Sequence, residues 1–483
     1  MFRHIVGYGP STVVPAAVSF CMIYVYTRLL TPAAYGSFSL VFSAILVIQT
    51  SLFFAIPVAL TRFYPEALSQ DRREAFLSAC YTLFYGLGFL LLLLIGSASV
   101  FANLHEPVLW ALSALVLVAR SAVVLNQSVN RISFQTRRFN VIECAHAMLG
   151  FGFGTVFIYW LGGSAEAVIL GLLLAALLCL LADVPLLLMP FRFGWKRIER
   201  ATIVQLVKFS LPLIVVDITV CLLTLSDRFL LEALGGVASL GIYTVAYNLV
   251  ERPTTLISTA ITTATFPIAV QVLHDRGRSA GRRQAGTNAG ILLALTIPAC
   301  VGLALTAPYM AAVMIGEDFR SGVAALIPVL CAVALFRSMS LHIIDHAFLF
   351  AGRPSLALWA YGPAAAANIA LNIVLIPRYG MFGAAWAGLV CQAGAVVIGW
   401  SLSRRAFPIA LPIIDLVKII AAVIPMALFL SHVTFALSWT GLLEAVVSGA
   451  LVFAASAAVL NIGGIRVATL KYLPAAIQND ATR

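Results

Sequence analysis

RLLTPAAYGSFSLVFS, Arg28 to Ser43, returns in weakened form 205 positions later as GGVASLGIYTVAYN, Gly235 to Asn248. With Gly36 placed on Gly241, Ala33 falls on Ala238, Phe38 on Tyr243, Ser39 on Thr244 and Phe42 on Tyr247. The 483-residue chain around this pair is 62% hydrophobic and 10% charged, too little polar surface to cover a water-soluble globule. Self-similarity at half-chain distance in so apolar a sequence is a signature of transporters assembled from two related bundles with a site between them.

Between short charged clusters lie apolar runs of about 20 residues, the length a helix needs to cross about 30 Å of hydrocarbon at 1.5 Å per residue. Fourteen such runs succeed one another, from 11–30 to 439–462, with no room for a soluble domain between any two. The eighth, 237–272, is too long for one straight span and contains Arg252-Pro253, which predicts a break or tilt near Pro253.

The net charge of +11 raises nucleic acid as a partner, but its placement points elsewhere. If the N-terminus is cytoplasmic, 23 of the 30 basic residues fall on the tails and the even-numbered connections. The opposite connections carry only Arg28, Arg228, Arg320 and Arg378. A missed or invented span would invert every later loop, so the alternation predicts fourteen spans with both termini in the cytoplasm.

No phosphate-binding loop, kinase or hydrolase signature is present, so the chain is not expected to be an enzyme and no cofactor is expected. All eight cysteines lie in apolar runs without metal-like spacing and read as packing residues. The first run is interrupted by Pro10 and Pro15 and lacks a small-x-small cleavage site, so it reads as a span rather than a leader. In His342-Ile-Ile-Asp345-His346 the carboxylate is misplaced for a zinc motif and no third ligand is apparent. A proton relay and a plain interhelical hydrogen-bonding role both remain open there, and at 100° per residue Ser338, His342 and Asp345 would form one polar stripe.

A charge at the bilayer centre costs at least about 2.5–3.5 kcal/mol on insertion scales, so each intramembrane charge is a candidate site residue. Arg120, Asp217, Glu251, Arg252, Arg337 and Asp345 lie within spans. They are compatible with mutual neutralisation across helices, or with an aqueous cationic cavity plus carboxylates for a coupling ion. Asp217, Glu251, Asp345 and His342 are the ion-coupling candidates. Arg28 and Arg228 stand at span ends, where snorkelling competes with a place on corresponding cavity rims. Tyr243, Tyr247 and Glu251 recur at four-residue spacing, as lumen lining or as packing. Gly150-Phe-Gly-Phe-Gly154 predicts close helix packing.

Three segments, YTRLLTPAAYGSFSLVFSAILVI, SDRFLLEALGGVASLGIYTVAYNLVERP and NIALNIVLIPRYGMFGAAWAGLV, resemble the polysaccharide transporter (Wzx-type flippase) branch of the multidrug/oligosaccharidyl-lipid/polysaccharide exporter superfamily. Span count, length and chain order agree with that family over essentially the whole chain. The resemblance implies an all-α integral membrane protein of two parallel six-helix bundles, 1–200 and 201–405, with two further helices and a tail in 406–483. It implies transfer of an undecaprenyl-diphosphate-linked oligosaccharide across a bacterial inner membrane. The implied partners are membrane lipids and other polysaccharide assembly proteins, such as a polymerase and a chain-length regulator, with no nucleic acid. The family's cationic cavity would correspond to Arg28, Arg62 and Arg252, with Arg120 and Arg337 as further candidates. A lipid II flippase of the same superfamily is the nearest rival. A membrane polymerase or ligase of surface polysaccharide is the rival from another class, although it would need a large catalytic periplasmic loop.

Overall fold

The computed structural model describes residues 9–101, 107–188 and 200–462. In order, the long helices are α1 (Gly9–Leu29), α2 (Pro32–Ile48), α3 (Ala55–Ser69), α4 (Arg73–Phe101), α5 (Pro107–Ile132), α6 (Thr136–Leu161), α7 (Ala165–Ala182), α8 (Arg200–Gly235) and α9 (Val237–Met314). They continue as α10 (Glu317–Met339), the six-residue α11 (Asp345–Phe350), α12 (Leu356–Tyr379), α13 (Met381–Ala406), α14 (Ile413–His432) and α15 (Trp439–Val459). Wider π-helical turns, Gln49–Phe53 and Ser340–Ile344, join α2 to α3 and α10 to α11. Among the described residues, thirteen helical segments are long and apolar enough to cross a membrane.

Each of the fourteen expected runs falls on one of these segments, because α9 holds two of them. At 1.5 Å per residue its 78 residues would reach about 117 Å, several bilayer cores, if it were straight. The interruption is at Gly277, whose φ of 77° and ψ of 179° are open only to glycine. The break expected at Pro253 is absent. Proline is tolerated in membrane helices, and α9 keeps helical backbone angles through Pro253, departing from them at Gly277.

Helix starts obey local chemistry. Thr31 accepts from the Ala34 amide and Pro32 supplies the first-turn φ of α2. Ser164 and Ser438 cap α7 and α15 in the same way. Outward-facing Leu90, Leu94, Val397, Ile420 and Leu451 belong in lipid rather than water. Exposed Tyr159, Trp160, Tyr379 and Trp439 stand at helix ends, where aromatic side chains anchor a span at the interface.

Two compact units divide the chain: Met1–Thr244 with Asn372–Met381, and Val245–Leu371 with Phe382–Arg483. In the first, the two echoing segments pack on each other. A Cβ on Gly36 would lie 1.9 Å from the Val237 carbonyl oxygen, and one on Gly241 would lie 2.1 Å from the Pro32 carbonyl oxygen. Val237 is the repeat equivalent of Pro32, so the contact is reciprocal, and the equivalent hydroxyls of Ser39 and Thr244 bond at 2.7 Å. The expected glycine seam is also present: a Cβ on Gly171 of α7 would lie 2.3 Å from the Gly154 nitrogen, while Gly152 faces open space. Asp183, 1% exposed, ties three helices by pairing with Arg138 at 2.6 Å and accepting from Asn130 at 3.2 Å.

The second unit is built round Leu292, Ile343, Ala347 and Phe407. Its last two helices pack through Met426, Leu430 and Ala445, with Ile297, Val301 and Leu305 of α9 against them. The strap between α13 and α14 is pinned: Arg278 donates to the Ala406 carbonyl and Arg282 to that of Pro408 at 2.7 Å. A Cβ on Gly286 would stand 1.8 Å from the Ala410 carbonyl oxygen, so only a bare backbone lets the strap lie this close.

Candidate functional site

In the first unit, α5 carries Arg120 half-buried, its guanidinium 4.9 Å from the Phe42 ring centroid. A cavity of about 190 Å³ opens beside it, lined also by Gln127 and Arg131 of α5 and by Glu143 and His146 of α6. Arg28, exposed at the end of α1, donates to the Tyr24 carbonyl at 2.7 Å and lies 3.8 Å over the Tyr24 ring. Arg62 is exposed on α3, 6.0 Å from the Phe63 ring.

Arg228 does not snorkel. It is 5% exposed and donates to the Ser43 hydroxyl at 3.0 Å, while Ser43 donates to the Ser39 carbonyl at 2.7 Å. Its neighbour Asp227, also buried, accepts a hydrogen bond from Tyr243. Tyr243 is thus a packed, bonded side chain of the first unit, and Asp217 is half-buried on α8. The charged pair Asp227-Arg228 at the end of an apolar run is the available sequence signal for this cluster, but only contact with the first repeat shows its hydroxyl partners.

In the second unit, Tyr247, Glu251 and Arg337 come together. Arg337 donates to the Tyr247 hydroxyl and its Nε lies 3.5 Å from Glu251, with the two charged side chains 24% and 19% exposed. Tyr247 and Glu251 sit on one face of α9, a helical turn apart. Arg252, next along the chain, is exposed.

The polar stripe expected along α10 divides. Ser338 bonds Ser258 of α9 at 2.8 Å, whereas Asp345 accepts from Tyr361 of α12 at 2.6 Å. The reason is the π-helical turn at Ser340–Ile344, which widens the winding and rotates the next turn of helix away from the ideal 100° step. His342 stacks edge-on to His346 with centroids 6.2 Å apart, and His346 lies 4.5 Å from Phe266. Gln392 of α13 reaches Ser340 at 3.4 Å. Among the described residues, no three His, Cys, Asp or Glu side chains gather as metal ligands.

The arrangement therefore offers forked cations, hydroxyls and aromatic faces inside apolar helices, chemistry suited to an anionic polar group. The solved structure of "Lipid II flippase MurJ, inward closed conformation" is similar over 95% of this chain and 99% of that one, with TM-score 0.76 at 14% identity. An inward-facing multidrug resistance MATE family transporter of the MOP superfamily covers 83% of this chain and 97% of its own, with TM-score 0.63 at 16% identity. Its outward-facing counterpart gives a TM-score of 0.57 at 15% identity, over 83% of this chain and 95% of its own. No curated protein sequence matches. The family described as "Polysaccharide biosynthesis protein" matches residues 25–324, more than half of the chain. This chain therefore belongs to the polysaccharide biosynthesis protein family and has the fold of the transporters of the multidrug/oligosaccharidyl-lipid/polysaccharide superfamily.

Proposed function

We propose that this protein is a secondary, alternating-access flippase that moves an undecaprenyl-diphosphate-linked oligosaccharide, an O-antigen or exopolysaccharide repeat unit, from the cytoplasmic to the periplasmic leaflet. The observation that carries the proposal is the set of arginines in apolar helices of a polysaccharide biosynthesis family member: Arg120 over Phe42, Arg228 on Ser43 and Arg337 on Tyr247 and Glu251. Each costs about 2.5–3.5 kcal/mol or more to insert, a cost expected to be retained for function. A lipid diphosphate is doubly anionic, and arginine meets such oxygens with forked, charge-assisted bonds.

In this reading Arg28, Arg62, Arg120, Arg252 and Arg337 serve the diphosphate. Asp217, Glu251, Asp345 and His342 couple transfer to a proton or sodium gradient. The protein lies in a bacterial inner membrane with both termini cytoplasmic, its bundles being 1–200 and 201–405.

A deletion strain tests the function: lipid-linked repeat units accumulate on the cytoplasmic face. Normal translocation of unpolymerised units refutes flipping, and accumulation of lipid II instead refutes the choice of substrate. Arg120→Ala and Arg252→Ala are expected to abolish export at unchanged protein level, with lysine retaining part of it. Wild-type export in both alanine variants would show the cationic assignment to be wrong.

A further inference from the structure

The cavity beside Arg120 is built by two helices of one unit. Arg120, Gln127 and Arg131, seven and then four residues apart, fall on one face of α5. Glu143 and His146, three apart, fall on one face of α6, and Phe54 closes one wall. About 190 Å³ is far more than the ~10–15 Å³ that one water requires, so this is room for a ligand fragment in a polar setting.

The polar groups divide into scaffold and spare capacity. Gln127 is engaged on every side: its amide donates to the Phe139 carbonyl at 2.9 Å and to Glu143 at 3.2 Å, and its oxygen accepts from Asn130 at 3.2 Å. It therefore fixes the Glu143 carboxylate at the wall and leaves that group's second oxygen to accept another donor. The Nε2 of His146 is buried without a hydrogen-bond partner.

A bare inorganic anion does not suit this lining, because Glu143 would repel it. A ligand with an anionic group and neutral hydroxyls uses every wall. We infer that the α5–α6 cavity is a glycosyl-phosphate site: the phosphoryl group meets Arg131, a sugar hydroxyl donates to Glu143, and the ring face lies on Phe54. Arginine supplies the forked donors phosphate accepts, and an aromatic face suits the apolar side of a pyranose. The inference rests on the transport reading for the ligand's natural source, the first sugar and phosphate of the carried lipid.

The test is binding to the full-length protein purified in neutral detergent, by calorimetry with glucose 1-phosphate, N-acetylglucosamine 1-phosphate, inorganic phosphate and glucose as probes. At least one sugar phosphate is expected to bind more tightly than either phosphate or glucose. Arg131→Gln weakens it about tenfold or more, the effect of losing a charge-assisted bond. Glu143→Gln keeps an acceptor for Gln127, so the fold is retained, and it discriminates by sign: sugar-phosphate binding weakens while inorganic phosphate binding strengthens.

If Glu143→Gln strengthens both, the cavity is a simple anion site and the inference is overturned. If none of the probes binds, or Arg131→Gln leaves sugar-phosphate affinity unchanged, it is overturned as well. Either failure alongside cytoplasmic accumulation in the deletion strain leaves the transport proposal standing, whereas normal translocation in that strain removes the transport proposal alone.

Discussion

Gly36→Ala is expected to destabilise the first unit although alanine is the better helix former. The new Cβ would stand 1.9 Å from the Val237 carbonyl oxygen, where ordinary contact begins near 3.4 Å, so the two segments must part by about 1.5 Å (3.4 − 1.9). The obstacle is backbone and cannot rotate away. Overpacking of this kind costs about 1–3 kcal/mol, and parting the segments also strains the Ser39–Thr244 bond, worth about 0.5–1.5 kcal/mol. The helix-propensity gain of about 0.5–1 kcal/mol offsets a fraction of this. Gly152→Ala has the same propensity gain with nothing within 4 Å of its new Cβ, so the difference between the two variants isolates the contact. That difference should be about 1.5–4.5 kcal/mol. Thermal unfolding in detergent, monitored by fluorescence-detected size exclusion, measures it. Gly241→Ala should behave like Gly36→Ala, and the double variant should cost less than the sum, since one separation relieves both clashes. Equal stability of Gly36→Ala and Gly152→Ala would refute the reasoning.

Other expectations are quicker to check. Asp183→Asn removes the charge that meets Arg138 and is expected to cost about 1–3 kcal/mol, read in the same unfolding assay, with Arg138 40% exposed and so able to turn to water. Gly286→Ala drives a Cβ to 1.8 Å from the Ala410 oxygen and should open the strap at 407–412 to limited proteolysis, whereas Gly388→Ala, with nothing within 4 Å, should not. A double-mutant cycle of Arg337→Ala with Glu251→Ala, on a pair 3.5 Å apart and about one-fifth exposed, should yield a coupling of about 1 kcal/mol. A value near zero would mean that Glu251 does not help to hold the arginine.

Hydropathy and the Gly36/Gly241 echo make the membrane architecture readable, because span length and apolar content are set by the bilayer rather than by any one contact. The GxxxG of α6 is readable for the same reason: a bare face in an apolar helix must meet a backbone. What stays hidden is rotational and relational. By sequence Pro253 reads as the break, yet Gly277 is, since proline's lost bond is tolerated in a long helix while a φ of 77° is not compatible with one. The π-helical turn at Ser340–Ile344 sends Ser338 and Asp345 to different neighbours, which no fixed angular step foretells. By sequence Arg228 reads as a snorkelling or cavity-rim cation, because a one-dimensional view shows its distance from the span end but not Ser43 waiting on another helix. The Asp183–Arg138 pair is invisible for want of any spacing rule linking residues on separate helices.

The reciprocity of the Gly36 and Gly241 contact has a further meaning. Pro32 and Gly36 meet Val237 and Gly241 as residue i meets j and j meets i, which is the defining property of an isologous interface between two copies of one subunit. A single, unduplicated half carrying this bare glycine face would already own both sides of the joint. Fusion of two such copies asks for no new surface, only for a connection between them, and the joint then ceases to depend on protomer concentration. Divergence of the halves, Phe38 to Tyr243 and Ser39 to Thr244, proceeds under one constraint: every change on one side must still fit its own counterpart on the other.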